Sequence, residues 1–172
     1  MKFLYGATIA AIAATPVFAD GHASGDAAAG EEAFNRQCVA CHVVVDDNGE
    51  TLAGRAARTG PNLYAVAGRT LGAIEDFRYS DAIMELGEAD TVWDEANFVG
   101  YVQDPTGWLR ETLDDRRARG KMAYKVRSEE DATNLYAYLA SLAPLPEAEE
   151  GAEEGAEMMK DESAEETEAA TN

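Results

Sequence analysis

Cysteine and histidine are scarce in this chain of 172 residues, two of each. A structural zinc site normally takes four such ligands, and His22 stands apart near the N-terminus, which argues against one. Basic residues are few as well: 14 Lys and Arg against 33 Asp and Glu give a formal net charge of −19. That balance argues against nucleic acid as a partner. Long apolar runs are missing too. The longest, residues 3–18, is shorter than the ~20 residues a spanning helix needs, and Pro16 interrupts it. There is no internal repeat and no pattern of a parallel sheet, so the βαβ context of a dithiol oxidoreductase is absent.

What cysteine there is sits together. Cys38-Val39-Ala40-Cys41-His42 has the form C-x-x-C-H, the attachment signature of a c-type haem. Two thiols three positions apart lie on one side of a helical turn and reach the vinyl groups on one porphyrin edge. The following residue, His42, then presents its imidazole to the iron. A disulfide between Cys38 and Cys41 would close a loop too small to stabilise much. One covalent haem c per chain, held by Cys38 and Cys41, is the reading that uses all three residues.

Two terminal segments have their own character. Lys2, the apolar stretch and Val17-Phe18-Ala19 read as a secretory signal over 1–19, cleaved after Ala19. Export to the periplasm suits the haem, because bacterial c-type haem is attached outside the cytoplasmic membrane. An uncleaved signal would instead make a membrane-tethered protein. At the other end, residues 147–172 hold eleven acidic residues, one lysine (Lys160) and no aromatic residue. Such a segment buries too little apolar surface to offset its ordering entropy, which predicts disorder. With the signal (+1) and the tail (−10) removed, residues 20–146 form one domain of net charge −10.

Within that domain the elements read as helices separated by loops. Asp26 is placed to cap a helix through Gln37, with Phe34 one turn before Cys38. Val43-Val44-Val45 is followed by the turn signal Asp46-Asp47-Asn48-Gly49-Glu50, and Gly60-Pro61 fixes an extended turn with a free carbonyl. A short amphipathic piece spans 81–86. A helix over 93–102 places Phe98, Tyr101 and Val102 on one face and ends at Asp104-Pro105, with a short helix following through Trp108, Leu109 and Leu113. Ser128 to Asp131 has the form of a capping box. It opens a helix with Leu135, Tyr138, Leu139 and Leu142 as apolar face, stopped by Pro144. Seven of the domain's twelve basic residues fall within 110–127.

A low-spin carrier needs a second axial ligand, whereas a catalytic or gas-binding haem leaves that position open. His22 is close to the new terminus, Met158 and Met159 lie in the tail, and Met84 suits a core position. Met122, in a loop after Gly120-Lys121, is the favoured ligand, since a loop held by packing can present a thioether to the iron. A haem enzyme or gas-ligand sensor with an open sixth position remains the alternative.

Residues 25–143 resemble the class I c-type cytochromes, in particular the longer bacterial cytochrome c2 type. The resemblance is carried by Gly30 and Phe34 before the haem motif, 59–63 (Thr-Gly-Pro-Asn-Leu), Gly68-Arg69, Phe77-Arg78-Tyr79, Trp93, Tyr101 with Asp104-Pro105, Lys121-Met122 and 135–139 (Leu-Tyr-Ala-Tyr-Leu). It implies an all-α fold whose N- and C-terminal helices cross at Gly30, Phe34 and Tyr138, with helices wrapped around one haem. It implies that the Pro61 carbonyl orients His42, that Arg69, Tyr79 and Trp93 bond the haem propionates, and that Tyr101 lies near the Met122 sulfur. The sequence departs from many members at Gly120, where a threonine is common, and its stretches 43–58 and 109–119 are longer than in short mitochondrial members. The expected function is that of a soluble, monomeric, periplasmic electron carrier and not an enzyme. It would shuttle one electron from a bc1-type complex to an oxidase, peroxidase, reductase or reaction centre, docking near Lys121, Lys125 and Arg127.

Overall fold

The computed structural model describes residues 23–143. The signal segment, His22, Pro144 and the acidic tail lie outside the described residues.

The chain begins with α1, Ala27–Gln37, and closes with α5, Glu129–Ser141; the two pack face to face. Capping explains where each starts. The Asp26 carboxylate accepts from the backbone N–H groups of Ala28 and Ala29 at 2.8 and 3.1 Å, satisfying two of the orphan donors of a first turn. Ser128 Oγ accepts from Asp131 N at 3.1 Å. The reciprocal half of the expected capping box is not made, because the Asp131 carboxylate accepts from Gln37 Nε2 at 3.0 Å and so ties α5 to the end of α1.

Gly30 makes the close approach of the two helices possible: a Cβ there would run into the Asn134 carbonyl and lie 2.7 Å from Tyr138 Cβ. Phe34, fully buried, meets the Tyr138 ring at 5.7 Å between centroids. Asn134, the buried polar residue at this contact, accepts from the Asp26 N–H at 2.7 Å, so the interface pins the cap of one helix to the middle of the other.

Between them lie α2 (Asp81–Glu88), α3 (Glu95–Gln103) and α4 (Pro105–Thr112). Their caps Ser80, Asp94 and Asp104 each accept a backbone N–H of the first turn. Asp104 ends α3 and starts α4, with Pro105 in the first helical position, where its missing N–H costs nothing. The 93–102 helix of the sequence reading starts two residues later, and Trp93 sits outside it.

The structure adds a short antiparallel hairpin to the all-α expectation: β1 (Val43–Val45) and β2 (Thr51–Gly54). Three valines in a row are a strand-forming run, and the turn signal 46–50 is its loop, closed by Asp46 Oδ1 accepting from Asn48 N and Glu50 N. Met84 also departs from its expected core position; it is 42% exposed.

Candidate haem-binding site

The motif cysteines continue α1 by one turn. Cys38 N donates to Phe34 O, and the N–H groups of Cys41 and His42 both donate to Cys38 O at 3.0 and 2.9 Å. This turn gathers Cys38, Cys41 and His42 at one end of α1. Both thiols are free and half-buried. Burial, and secondarily the neighbouring Cys41, push the Cys38 thiol up to about 12, so it is protonated at neutral pH.

The segment after the hairpin fixes the His42 ring. Gly60 N donates to Cys41 O at 2.7 Å, and a Cβ on Gly60 would collide with the imidazole. Only glycine leaves room for the ring there. His42 Nδ1 lies 3.0 Å from the Pro61 carbonyl; a carbonyl can only accept, so Nδ1 carries the proton and Nε2 keeps its lone pair. Burial lowers the pKa of His42, opposed by the bond to Pro61, which keeps the ring neutral as a metal ligand must be. Asn62, given no role in the sequence reading, clamps the segment. Its side chain accepts from Val45 N (2.9 Å) and Tyr64 N (3.1 Å) and donates to Val45 O (2.7 Å). An asparagine directly after Gly-Pro was the available signal.

The remaining pocket residues converge from three loops and α3. Trp93 N donates to Arg69 O and Gly68 N to Trp93 O, both at 2.9 Å, which places Arg69 and Trp93 side by side. The Trp93 ring lies 5.0 Å from Tyr101 and 6.0 Å from Trp108. Burial raises the Tyr79 pKa, with the nearby Arg69 charge opposing. Burial and then Tyr79 push the Tyr101 hydroxyl up to about 12. Arg69, Tyr79, Trp93 and Tyr101 therefore share one site.

Arg69 is the informative member. Its two terminal nitrogens donate to the carbonyls of Tyr64 (2.6 Å) and Asn62 (3.2 Å). Its Nε is the one buried side-chain polar atom without a partner among the described residues. No carboxylate faces this guanidinium among the described ion pairs. A half-buried cation whose Nε–H is buried without a partner calls for an anion, and a haem, with two carboxylates on an apolar disc, supplies one.

Met122 sits half-buried against the core, in a loop held at almost every neighbour. Gly120 N donates to Thr106 Oγ1 (3.3 Å), Lys121 Nζ to Arg78 O (2.8 Å), Tyr124 Oη to Gln37 Oε1 (3.1 Å) and Val126 N to Val102 O (2.9 Å). Lys125 Nζ pairs with Asp104 at 2.7 Å. Asp104 is expected from the sequence to end a helix, and nothing local in the sequence pairs it with Lys125.

No family model matches the chain. Its sequence is 66% identical to the cytochrome c2 of Rhodovulum adriaticum over 119 residues, 69% of this chain and 94% of that protein. It is 52% identical to a cytochrome c2 of Cereibacter sphaeroides over 141 residues, 81% of this chain and 94% of that protein. The chain belongs to the cytochrome c2 family. The crystal structure of cytochrome c2 from Rhodobacter sphaeroides superposes with a TM-score of 0.68 at 52% identity, covering 72% of this chain and all of the other. Ferric cytochrome c-550 from Paracoccus versutus gives 0.65 at 41%, covering 70% and 100%. The fold is thus the class I cytochrome c fold, and the chain is an electron-transfer protein, not an enzyme, with one covalently bound haem c. The thiol pair, the oriented imidazole and the orphaned guanidinium all fit that group.

Proposed function

We propose that this chain is a periplasmic one-electron carrier in which Cys38 and Cys41 would anchor the haem and His42 and Met122 would be the iron ligands. The observation that carries the reading is the His42–Pro61 hydrogen bond at 3.0 Å. It fixes the tautomer, aims Nε2 away from the backbone and makes the imidazole a better donor. Met122 is the second ligand because, of the two described methionines, Met84 lies on the surface and Met122 packs on the core. Arg69, with Tyr79 and Trp93, would hold the propionates, and Tyr101 would stand near the Met122 sulfur.

When bound, the haem would supply a single-electron couple, and ligation by an imidazole and a thioether would raise its potential. The chain contributes rigidity and dryness. Trp93, Tyr101 and Trp108 wall the pocket with rings, and the many-point anchoring of the Met122 loop keeps the ligand in place in both oxidation states. Both features reduce reorganisation as the electron moves.

The signal 1–19 is cleaved after Ala19 and residues 20–146 form the carrier domain. Brief, electrostatically steered docking on a bc1-type donor and on an oxidase, peroxidase, reductase or reaction-centre acceptor uses the exposed face of Lys121 and Arg127. Lys125 contributes less there than its sequence position suggests, since Asp104 already holds it. Mass determination of the exported protein tests the processing. A start at Asp20 is expected, and a retained apolar segment would make the protein membrane-tethered.

A further inference from the structure

The basic residues of this acidic protein are not spread evenly. Residues 110–127 carry a net +4, while the rest of 20–146 carries −14. Part of the cationic stretch borders a cavity of about 520 Å³ between the start of α2 and the loop after α4. Arg78, Arg117, Arg119 and Lys121 line it, and all four are exposed. Among the described residues none of them forms an ion pair. Asp81, Glu85 and Asp115 share the lining. Asp81 lies in the first turn of α2, where the helix dipole compensates it, and Asp115 Oδ1 accepts from Arg117 N at 2.8 Å. Four cations and three acids give the lining a net +1, a positive exception on a body of net −10.

We propose that this cationic cavity is the seat of the chain's own acidic tail, residues 147–172. Charge complementarity selects that occupant. The tail carries a net −10, is repelled by the acidic remainder of the body and meets one face of opposite sign. The length suffices. Thirteen residues of α5 separate its two ends by about 20 Å at ~1.5 Å per residue. The seven residues from Lys121 to Ser128 add at most about 25 Å at ~3.5 Å each. Fewer than about 14 extended residues cover both distances, and 29 follow Ala143. Tethering gives the carboxylates an effective concentration on the order of millimolar, so weak individual contacts add up. Lys121 belongs both to this seat and to the proposed docking face. The seated tail therefore competes with acidic redox partners and gives way as salt rises. That consequence rests on the carrier reading; the contact itself does not.

The test uses the haem-loaded, full-length protein and a zero-length carbodiimide coupling, which joins a carboxylate to a lysine amine as an amide with loss of water. At about 10 mM salt, where the Debye length is ~30 Å, peptide mapping should find Lys121 joined to glutamates of 147–168. About 0.5 M salt, or the triple variant R78Q/R117Q/R119Q, should cut that product at least fivefold. Lys121 joined only to acids before residue 144, or tail products shared equally with Lys125 and insensitive to the triple variant, would overturn the proposal. A second arm follows oxidation of the reduced protein by ferricyanide, a small anion. Replacing the eleven tail acids by Gln should speed it several-fold at low salt in the wild-type background, and much less in the triple variant. Equal acceleration in both backgrounds would reduce the tail to bulk charge and refute the seat. Cross-links formed by a protein that exchanges no electrons would support the contact and count against the carrier reading.

Discussion

At the scale of single residues, the site depends on side chains that are small or unpaired for a reason. Gly60 touches the His42 imidazole so closely that no Cβ fits. Gly60→Ala must push the ring or the backbone off its bond to Pro61, an overpacking cost of about 1–3 kcal/mol. We expect a lower thermal midpoint and a smaller yield of holo-protein, read by melting and by haem absorbance per chain. A variant as stable and as fully loaded as the parent would show that the ring has freedom the geometry denies it. The turn that gathers Cys38, Cys41 and His42 was legible in the sequence because it is local, a motif of five residues. The role of Gly60 was not legible, because nothing in a Gly-Pro pair says what lies against it. The orphaned Nε of Arg69 is likewise a property of three-dimensional surroundings.

At the scale of elements, helix starts were readable where a capping side chain sits next to its own helix, as at Asp26 and Ser128. Contacts between distant segments were not. Asn134 lies within α5 and accepts from the N–H of Asp26 across 108 residues. Asn134→Ala leaves a part-buried N–H unpaired, and we expect a loss of about 1–3 kcal/mol, read by denaturant unfolding. Retained stability would mean that Gly30 and Phe34 hold the helix pair unaided. Asp104 is the second such joint. Its bond to Lys125, then that to Gly107 N, holds its carboxyl below the ordinary carboxylate range. A depressed carboxyl stabilises the fold above its unfolded pKa, and the contribution fades as pH falls through the folded value. Acid should therefore loosen the loop that carries Met122, and Asp104→Asn should abolish this share of the acid dependence. The pH profile of thermal stability in the two proteins checks this, and superimposable profiles would refute it. The β1–β2 hairpin went unread for a related reason. Three valines and a turn name one strand, but its partner 51–54 begins Thr-Leu-Ala-Gly, with no alternation to mark it.

For the whole molecule, net charge misleads unless it is divided. The acidic total argues against nucleic acid as a partner, yet the stretch around Met122 is cationic, and steering depends on the local sign. Neutralising Lys121 (Lys121→Gln) should slow association with an isolated bc1-type complex at low ionic strength and flatten the salt dependence of the rate. An unchanged low-salt rate would remove this face from docking. Lys125, tied to Asp104, should matter less than Lys121 in the same assay.

The central claim is that one covalently attached haem has its iron held between His42 and Met122, and the optical spectrum of Met122→Ala beside its parent tests it most directly. The parent should show a sharp α-band when reduced and the weak far-red band of a methionine–Fe(III) bond when oxidised. The variant should keep its covalent haem, lose the far-red band and acquire the ability to bind carbon monoxide without denaturation. A parent that is colourless, or a variant whose spectrum matches the parent in both oxidation states, would contradict the account.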